Sequence, residues 1–169
     1  MLKKYELALK ARENAYAPYS KYFVGACLVL KDGNYITGSN VENSSFGLTN
    51  CAERSALFAA ISQGYKKEDF KEIVIATIND IPGSPCGACR QVISELMESD
   101  ALVTLINPSL TNTICLKVKD LLPDNFIEFQ LSKRLHTIFN ALWKLSKDLN
   151  VLQRLNRSFD STIDYISLI

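Results

Sequence analysis

Three of the five cysteines sit where metal chemistry is possible. Cys51 opens the run Cys51-Ala52-Glu53, and Cys86 and Cys89 frame a Cys-x-x-Cys turn within Pro85-Cys86-Gly87-Ala88-Cys89. Each run falls at the predicted start of a helix, where free backbone N–H groups and the helix dipole favour a thiolate over a thiol. Zinc accepts three such ligands and leaves its fourth tetrahedral position to water. Glu53 stands two residues beyond a ligand, placed to take a proton from that water without binding the metal itself. The chemistry is metal-assisted hydrolysis with Glu53 as general acid and base. Three thiolates leave Zn²⁺ with a net charge of about −1, and Arg54, next to Glu53, is the candidate to offset it by hydrogen bonding to ligand sulfurs.

Each piece also has a plainer reading. A Cys-x-x-Cys serves structural zinc and redox pairs as well, and structural zinc would need a fourth ligand from Cys27 or Cys115. A redox pair has no use for the Cys-Ala-Glu helix start, so the combination favours the open site. His136 is the only histidine and reads as a helix-surface residue. Arg54, taken alone, is as readily a surface arginine.

Around these runs the chain alternates elements. Residues 2–15 have helical spacing, with Leu2, Tyr5, Leu9 and Arg12 on one face, Leu7 and Ala8 filling in, and Ala17-Pro18-Tyr19-Ser20 as the stop. Residues 24–30 and 35–41 are apolar runs joined through Asp32-Gly33, a hairpin signal. Residues 51–63 form a helix closed by Gly64. Residues 72–78 read as a buried strand, 86–98 as a second site-bearing helix, and 102–106 and 114–118 as two further strands. The sequence therefore predicts an α/β fold: a mixed five-strand sheet flanked by helices.

From residue 131 the texture changes. Leu131, Leu135, Ile138, Leu142, Leu145, Leu149 and Leu152 follow one another by alternating steps of four and three, a heptad-like stripe on an amphipathic helical extension. This tail carries a net charge of +3 against about −2 for what precedes it. The shift predicts a catalytic domain over residues 1–130 and a separate C-terminal extension over 131–169. The stripe is expected to be buried by packing or self-association.

Composition narrows the function classes. Of 169 residues, 47% are hydrophobic and 22% charged, as in ordinary soluble proteins. The net charge of +1 disfavours a nucleic-acid partner held by electrostatics, and a small substrate fits better. The N-terminal residues show no signal-peptide run, and no stretch reaches the roughly 20 apolar residues that span a bilayer. A cytoplasmic chain with no membrane association is expected, in which an odd number of cysteines points to metal rather than disulfides.

Taken in order, these motifs resemble the small homotetrameric, zinc-dependent cytidine deaminases. The resemblance runs through Ala17-Pro18-Tyr19-Ser20, Val24-Gly25-Ala26, Asn40-Val41-Glu42-Asn43, Gly47-Leu48-Thr49, Cys51-Ala52-Glu53-Arg54, Pro85-Cys86-Gly87-Ala88-Cys89-Arg90-Gln91 and Leu121-Leu122-Pro123, from about residue 5 to 128. It implies a three-layer cytidine-deaminase-like fold, one zinc per subunit on Cys51, Cys86 and Cys89, and hydrolysis of cytidine or deoxycytidine with release of ammonia, in pyrimidine salvage. It also implies that Asn40 and Glu42 hold the ribose hydroxyls and that Phe126 reaches the pyrimidine of a neighbouring subunit in a homotetramer. The aromatic beside the nucleoside falls on Tyr22, where phenylalanine is usual, with Phe23 at a position where proline is common. Residues 131–169 have no counterpart in the resemblance. Rival functions are deamination of a nucleoside analogue such as blasticidin S, deamination of a polynucleotide, and a non-enzymatic structural-zinc interaction module.

Overall fold

The computed structural model describes residues 1–125, Ile138 and 140–143. Its elements are α1 (Lys3–Glu13), β1 (Gly25–Leu30), β2 (Tyr35–Ser39), α2 (Ala52–Ser62), β3 (Phe70–Ala76), α3 (Gly87–Leu96), β4 (Leu102–Ile106), β5 (Thr113–Lys117) and α4 (Val118–Leu121). The strands form one five-stranded sheet in the order β2-β1-β3-β4-β5. Only β3 and β4 run parallel, joined through α3, as a parallel pair requires a crossover. The other neighbours are antiparallel, so the sheet is mixed as expected.

Alternation along the strands separates two apolar layers. Ala26, Leu28 and Leu30 of β1, Ile73 and Ile75 of β3, and Val103 and Leu105 of β4 pack against Ala52, Ala56, Leu57 and Ala60 of α2 and Ile93 of α3. On the opposite face Cys27, Val74, Ala76 and Ile106 meet Ala8 of α1. The result is a helix–sheet–helix sandwich.

Two glycines set how close the helices lie. A Cβ on Gly25 would collide with the α1 backbone at Ala8 and Arg12, and one on Gly38 with the α2 backbone at Ala52 and Ala56. This approach sets the face of α1 that meets the sheet. Ala8 and Ala11 are buried where the backbones meet, Tyr5, Leu7 and Leu9 pack half-buried around them, and of the expected face Leu2 alone is exposed. Lys4 reaches in from the same helix, with Nζ 2.7 and 2.8 Å from the two carboxylate oxygens of Glu72 on β3, and Thr104 of β4 donates to Glu72 at 2.6 Å.

Other boundaries also differ, β2 among them, which ends at Ser39 instead of 41. β3 begins at Phe70 and ends at Ala76, because its pairing with β1 runs from Leu30↔Phe70 to Gly25↔Ala76. α3 stops at Leu96, where Met97 turns extended and buries its side chain. Val118 starts α4 instead of ending a strand, since the Asp120 carboxylate accepts from the Lys117 N–H at 3.1 Å and caps a new turn.

The chain divides into two units, Met1–Ile127 and Glu128–Ile169. In the second, Ile138 and 140–143 are helical, and Ile138 and Leu142 are exposed. Phe126 and the remaining stripe leucines, Leu131, Leu135, Leu145, Leu149 and Leu152, lie outside the described residues. Among the described residues, no helix is long and apolar enough to cross a membrane.

Candidate active site

Two helix starts build the centre. Cys51 is the N-cap of α2 and Cys86 that of α3, both with extended backbone, and Cys89 lies in the first turn of α3. The sulfurs of Cys51, Cys86 and Cys89 all fall within 4.8 Å of one another, and those of Cys51 and Cys86 are 3.9 Å apart. Cys27 and Cys115 lie elsewhere: Cys27 is buried under α1, and Cys115 is exposed on β5. Among the described residues this is the one cluster of metal-binding side chains, and it has three donors rather than four.

Electrostatics at the trio favour a cation. The Cys51 thiol is drawn down to about 5, first by the hydrogen bond from Cys89, then, against the opposing effect of burial, by Arg54 and Cys86. Cys89 is pushed up because it is the donor in that pair, is buried, and faces the Glu53 carboxylate. Cys51 is thus favoured as a thiolate, and a divalent metal would displace the protons the trio still holds. Arg54 Nη2 lies 3.5 Å from Cys51 Sγ and 3.3 Å from the Thr49 carbonyl. Its Nε is buried without a partner, a spare donor consistent with further negative charge beside it. Three soft sulfurs at this spacing, with one guanidinium alongside, fit zinc.

Glu53 is 4% exposed, in the first turn of α2. Burial raises its carboxyl above the usual range, and the Cys51 charge adds to this, while hydrogen bonds from its own backbone and from Cys89 work against it. A carboxyl displaced towards neutrality next to a metal-binding trio suits a group that must take up and release protons.

Asn40 and Glu42 lie beyond the end of β2, not on a regular strand; Val41 between them makes isolated bridges to Tyr16 and Asn50. Both side chains reach residues 19–24. Asn40 Oδ1 accepts from the Val24 N–H at 2.8 Å and its Nδ2 donates to the Tyr22 carbonyl at 2.9 Å. The Glu42 carboxylate accepts from the Tyr19 and Ser20 N–H groups at 3.0 and 3.2 Å and from the Ser20 hydroxyl. The Ser20 hydroxyl is the first cause holding the Glu42 carboxyl below its usual range, and those amides add to it. Tyr22 and Phe23 are both half-buried at the end of this loop.

Arg90 is a site residue that motif reading passed over. Its Nε donates to the Pro85 carbonyl at 2.9 Å, Nη2 to Ser84 Oγ at 2.7 Å and Nη1 to the Leu121 carbonyl at 3.0 Å. It therefore pins the residues just before Cys86 to the end of α4. The available signal was its place in the Cys-x-x-Cys-Arg run, four residues from a helix N-cap. Ser20 was also passed over; it was visible only as a turn residue.

Comparison with known proteins agrees with this geometry. The cytidine and deoxycytidylate deaminase zinc-binding region matches residues 2–105. A cytidine deaminase of Halalkalibacterium halodurans is 53% identical over 100 residues, 59% of this chain and 74% of that protein. One from Sporosarcina psychrophila is 50% identical over 98 residues, covering 58% and 71%. The crystal structure of cytidine deaminase from Burkholderia pseudomallei superposes with a TM-score of 0.71 at 47% identity, over 75% of this chain and all of that one.

Proposed function

The chain belongs to the cytidine and deoxycytidylate deaminase zinc-binding family, and from that footing we propose that it hydrolyses cytidine and deoxycytidine to the uridine products with release of ammonia. It is a zinc-dependent cytidine deaminase. The observation that carries the reading is the convergence of three thiol sulfurs with a buried carboxyl at the same helix start.

In this reading Cys51, Cys86 and Cys89 hold one zinc per subunit. When bound, zinc supplies the Lewis acidity that makes water nucleophilic near neutral pH. Glu53 takes a proton from the attacking water and passes it to the pyrimidine ring nitrogen N3, then takes the second proton from the new C4 hydroxyl and delivers it to the departing amine, so that ammonia leaves as the C4 carbonyl forms. Its raised carboxyl lets one group act first as base and then as acid. Arg54 offsets the charge of the thiolates.

Asn40 and Glu42 receive the ribose hydroxyls. An amide has two donor hydrogens and two lone pairs, and a carboxylate about four lone-pair sites, so the loop contacts above leave capacity for a sugar. Tyr22 lies along the pyrimidine. Cytoplasmic location and a homotetramer complete the proposal, with Phe126 entering a neighbouring subunit's pocket and residues 131–169 forming an accessory extension of the 1–130 domain. Support for assembly is exposed apolar surface on the segments next to Cys51 and the 17–24 loop, where Phe46 and Leu48 are 77% and 71% exposed and Tyr16, Tyr19 and Val41 are also open.

The test pairs metal analysis with the loss of cytidine absorbance, with blasticidin S and a single-stranded oligonucleotide as alternative substrates. About one zinc per chain and turnover of the nucleosides alone are expected. Glu53→Gln should keep zinc and lose roughly 10²- to 10⁴-fold or more in kcat. A metal-replete Glu53→Gln protein with near-normal turnover would remove Glu53 from the mechanism. Light scattering under assay conditions decides the assembly, and an active monomer would exclude the tetramer.

A further inference from the structure

The phenol oxygen of Tyr22 and the backbone of Gly83 share a space with no room for one more carbon. A Cβ on residue 83 would lie 2.6 Å from Tyr22 Oη and 3.0 Å from Thr77 Cγ2. Backbone conformation does not demand glycine here, since the positive-φ glycines among the described residues are Gly33 and Gly64. The demand is for space.

The backbone on both sides of this contact is anchored, so what can give is the ring of Tyr22, turning about its own side-chain bonds. Tyr22 is held through its carbonyl by Asn40 and through its N–H by Ser20 Oγ at 3.0 Å, and Ser20 is itself held by Glu42. The Gly83 N–H donates to Thr77 Oγ1 at 3.1 Å; Thr77 is 3% exposed, and its carbonyl accepts from Arg12 at 2.9 Å. Beyond Gly83, Arg90 pins Ser84 and Pro85, and Cys86 follows.

We propose that Tyr22 and Gly83 form a knob-and-notch pair that registers the loop of residues 17–24 on the loop carrying Cys86, so that residue 83 must be glycine while residue 22 carries a hydroxyl. Both are positioning residues in this role. The proposal deepens the deaminase reading, and only its kinetic consequence rests on that reading. A methyl group at 83 would push the phenol outward, the Cys86 side inward, or both. Displacements of about 1 Å in a reacting geometry lower rates by as much as about 100-fold.

The experiment is a double-mutant cycle in the full-length, zinc-loaded protein: Gly83→Ala, Tyr22→Phe, and both together. Three quantities are read: Tm, zinc retained against a chromogenic chelator, and kcat and KM for cytidine. With Tyr22 in place, Gly83→Ala should lower Tm by roughly 5 °C, loosen zinc about tenfold, and reduce kcat/KM by about 10- to 100-fold. In the Tyr22→Phe background the same methyl should cost much less in all three, the remainder coming from Thr77 Cγ2. Tyr22→Phe changes the substrate-facing ring itself, so the kinetic effect of the methyl is read within each background. A glycine needed only for loop flexibility would give equal losses in both backgrounds, which overturns the pair. So does a Gly83→Ala protein indistinguishable from wild type. If Gly83→Ala fails to fold, recovery of folded protein in the double variant supports the pair and its absence overturns it. If wild type leaves cytidine unchanged, the deaminase reading fails, while Tm and zinc retention still decide the contact.

Discussion

Replacing Arg54 with alanine should weaken zinc binding more than it weakens the fold, and most strongly in acid. The guanidinium donates to Cys51 Sγ at 3.5 Å and to the Thr49 carbonyl at 3.3 Å, and helps hold the Cys51 thiol down at about 5. A hydrogen bond to a charged group contributes about 1.5–3 kcal/mol; Arg54 is partly open to water, which places it in the lower half of that range. At about 1.4 kcal/mol per decade, this predicts roughly 10- to 40-fold weaker zinc binding. The pH dependence has a definite sign. In the metal-free protein the depressed Cys51 thiol contributes stability that is fully present above the unfolded value of 9.0 and is lost as pH falls through about 5. Without Arg54 the thiol keeps its proton to higher pH, so zinc must displace a proton that wild type has already released. The gap between variant and wild type should therefore be widest near pH 6 and narrow as pH approaches 9. Chelator competition across that range measures the gap, and the ultraviolet absorbance of the thiolate in the metal-free proteins measures the shift directly. Equal zinc affinity in both proteins at every pH, with an unmoved thiolate titration, would refute this account of Arg54.

The buried pair beneath α1 gives a second prediction. Lys4→Met leaves the Glu72 carboxylate, 3% exposed, with only the Thr104 hydroxyl, and should destabilise the protein by about 2–3 kcal/mol in urea unfolding; adding Glu72→Gln should restore much of this. A loss below about 0.5 kcal/mol would show that the pair contributes little. Gly38→Ala forces a methyl group into the α2 backbone at Ala52 and Ala56, next to Cys51 and Glu53, and should release zinc and lower Tm together. Gly47→Ala, with nothing within 4 Å, is the stability control and should leave Tm unchanged. Cys27→Ala and Cys115→Ser should both retain zinc; loss of metal from either would bring that cysteine into the site. In the folded protein the Cys27 thiol, pushed up to about 12 by burial first and the Glu72 charge second, should resist alkylation at neutral pH while exposed Cys115 reacts. Mass spectrometry after brief alkylation reads both.

Several features of this protein were legible without coordinates because they are local. Helix N-caps and Cys-x-x-Cys spacing are written in adjacent residues, so Cys51, Cys86, Cys89 and Glu53 could be named as a group before their positions were known. Period-two and period-three-to-four patterns likewise gave the order of helices and strands. What only the tertiary structure decided depends on residues far apart in the chain. Gly25 and Gly38 read as ordinary strand glycines, yet they set how near α1 and α2 lie, and that closeness places Ala8 and Ala11 where the α1 backbone meets the sheet. Lys4 and Glu72 look like two surface charges until α1 is laid across β3. Asn40 and Glu42 were read as sugar ligands, and what the fold shows them doing is holding residues 19–24 through hydrogen bonds that no spacing rule encodes. Arg90 and Gly83 gain their meaning from Leu121 and Tyr22. Sequence patterns report which side chains a residue's own helix or strand can present; packing density and hydrogen-bond satisfaction are settled between elements, so the contacts that fix the site could be read only once those elements met.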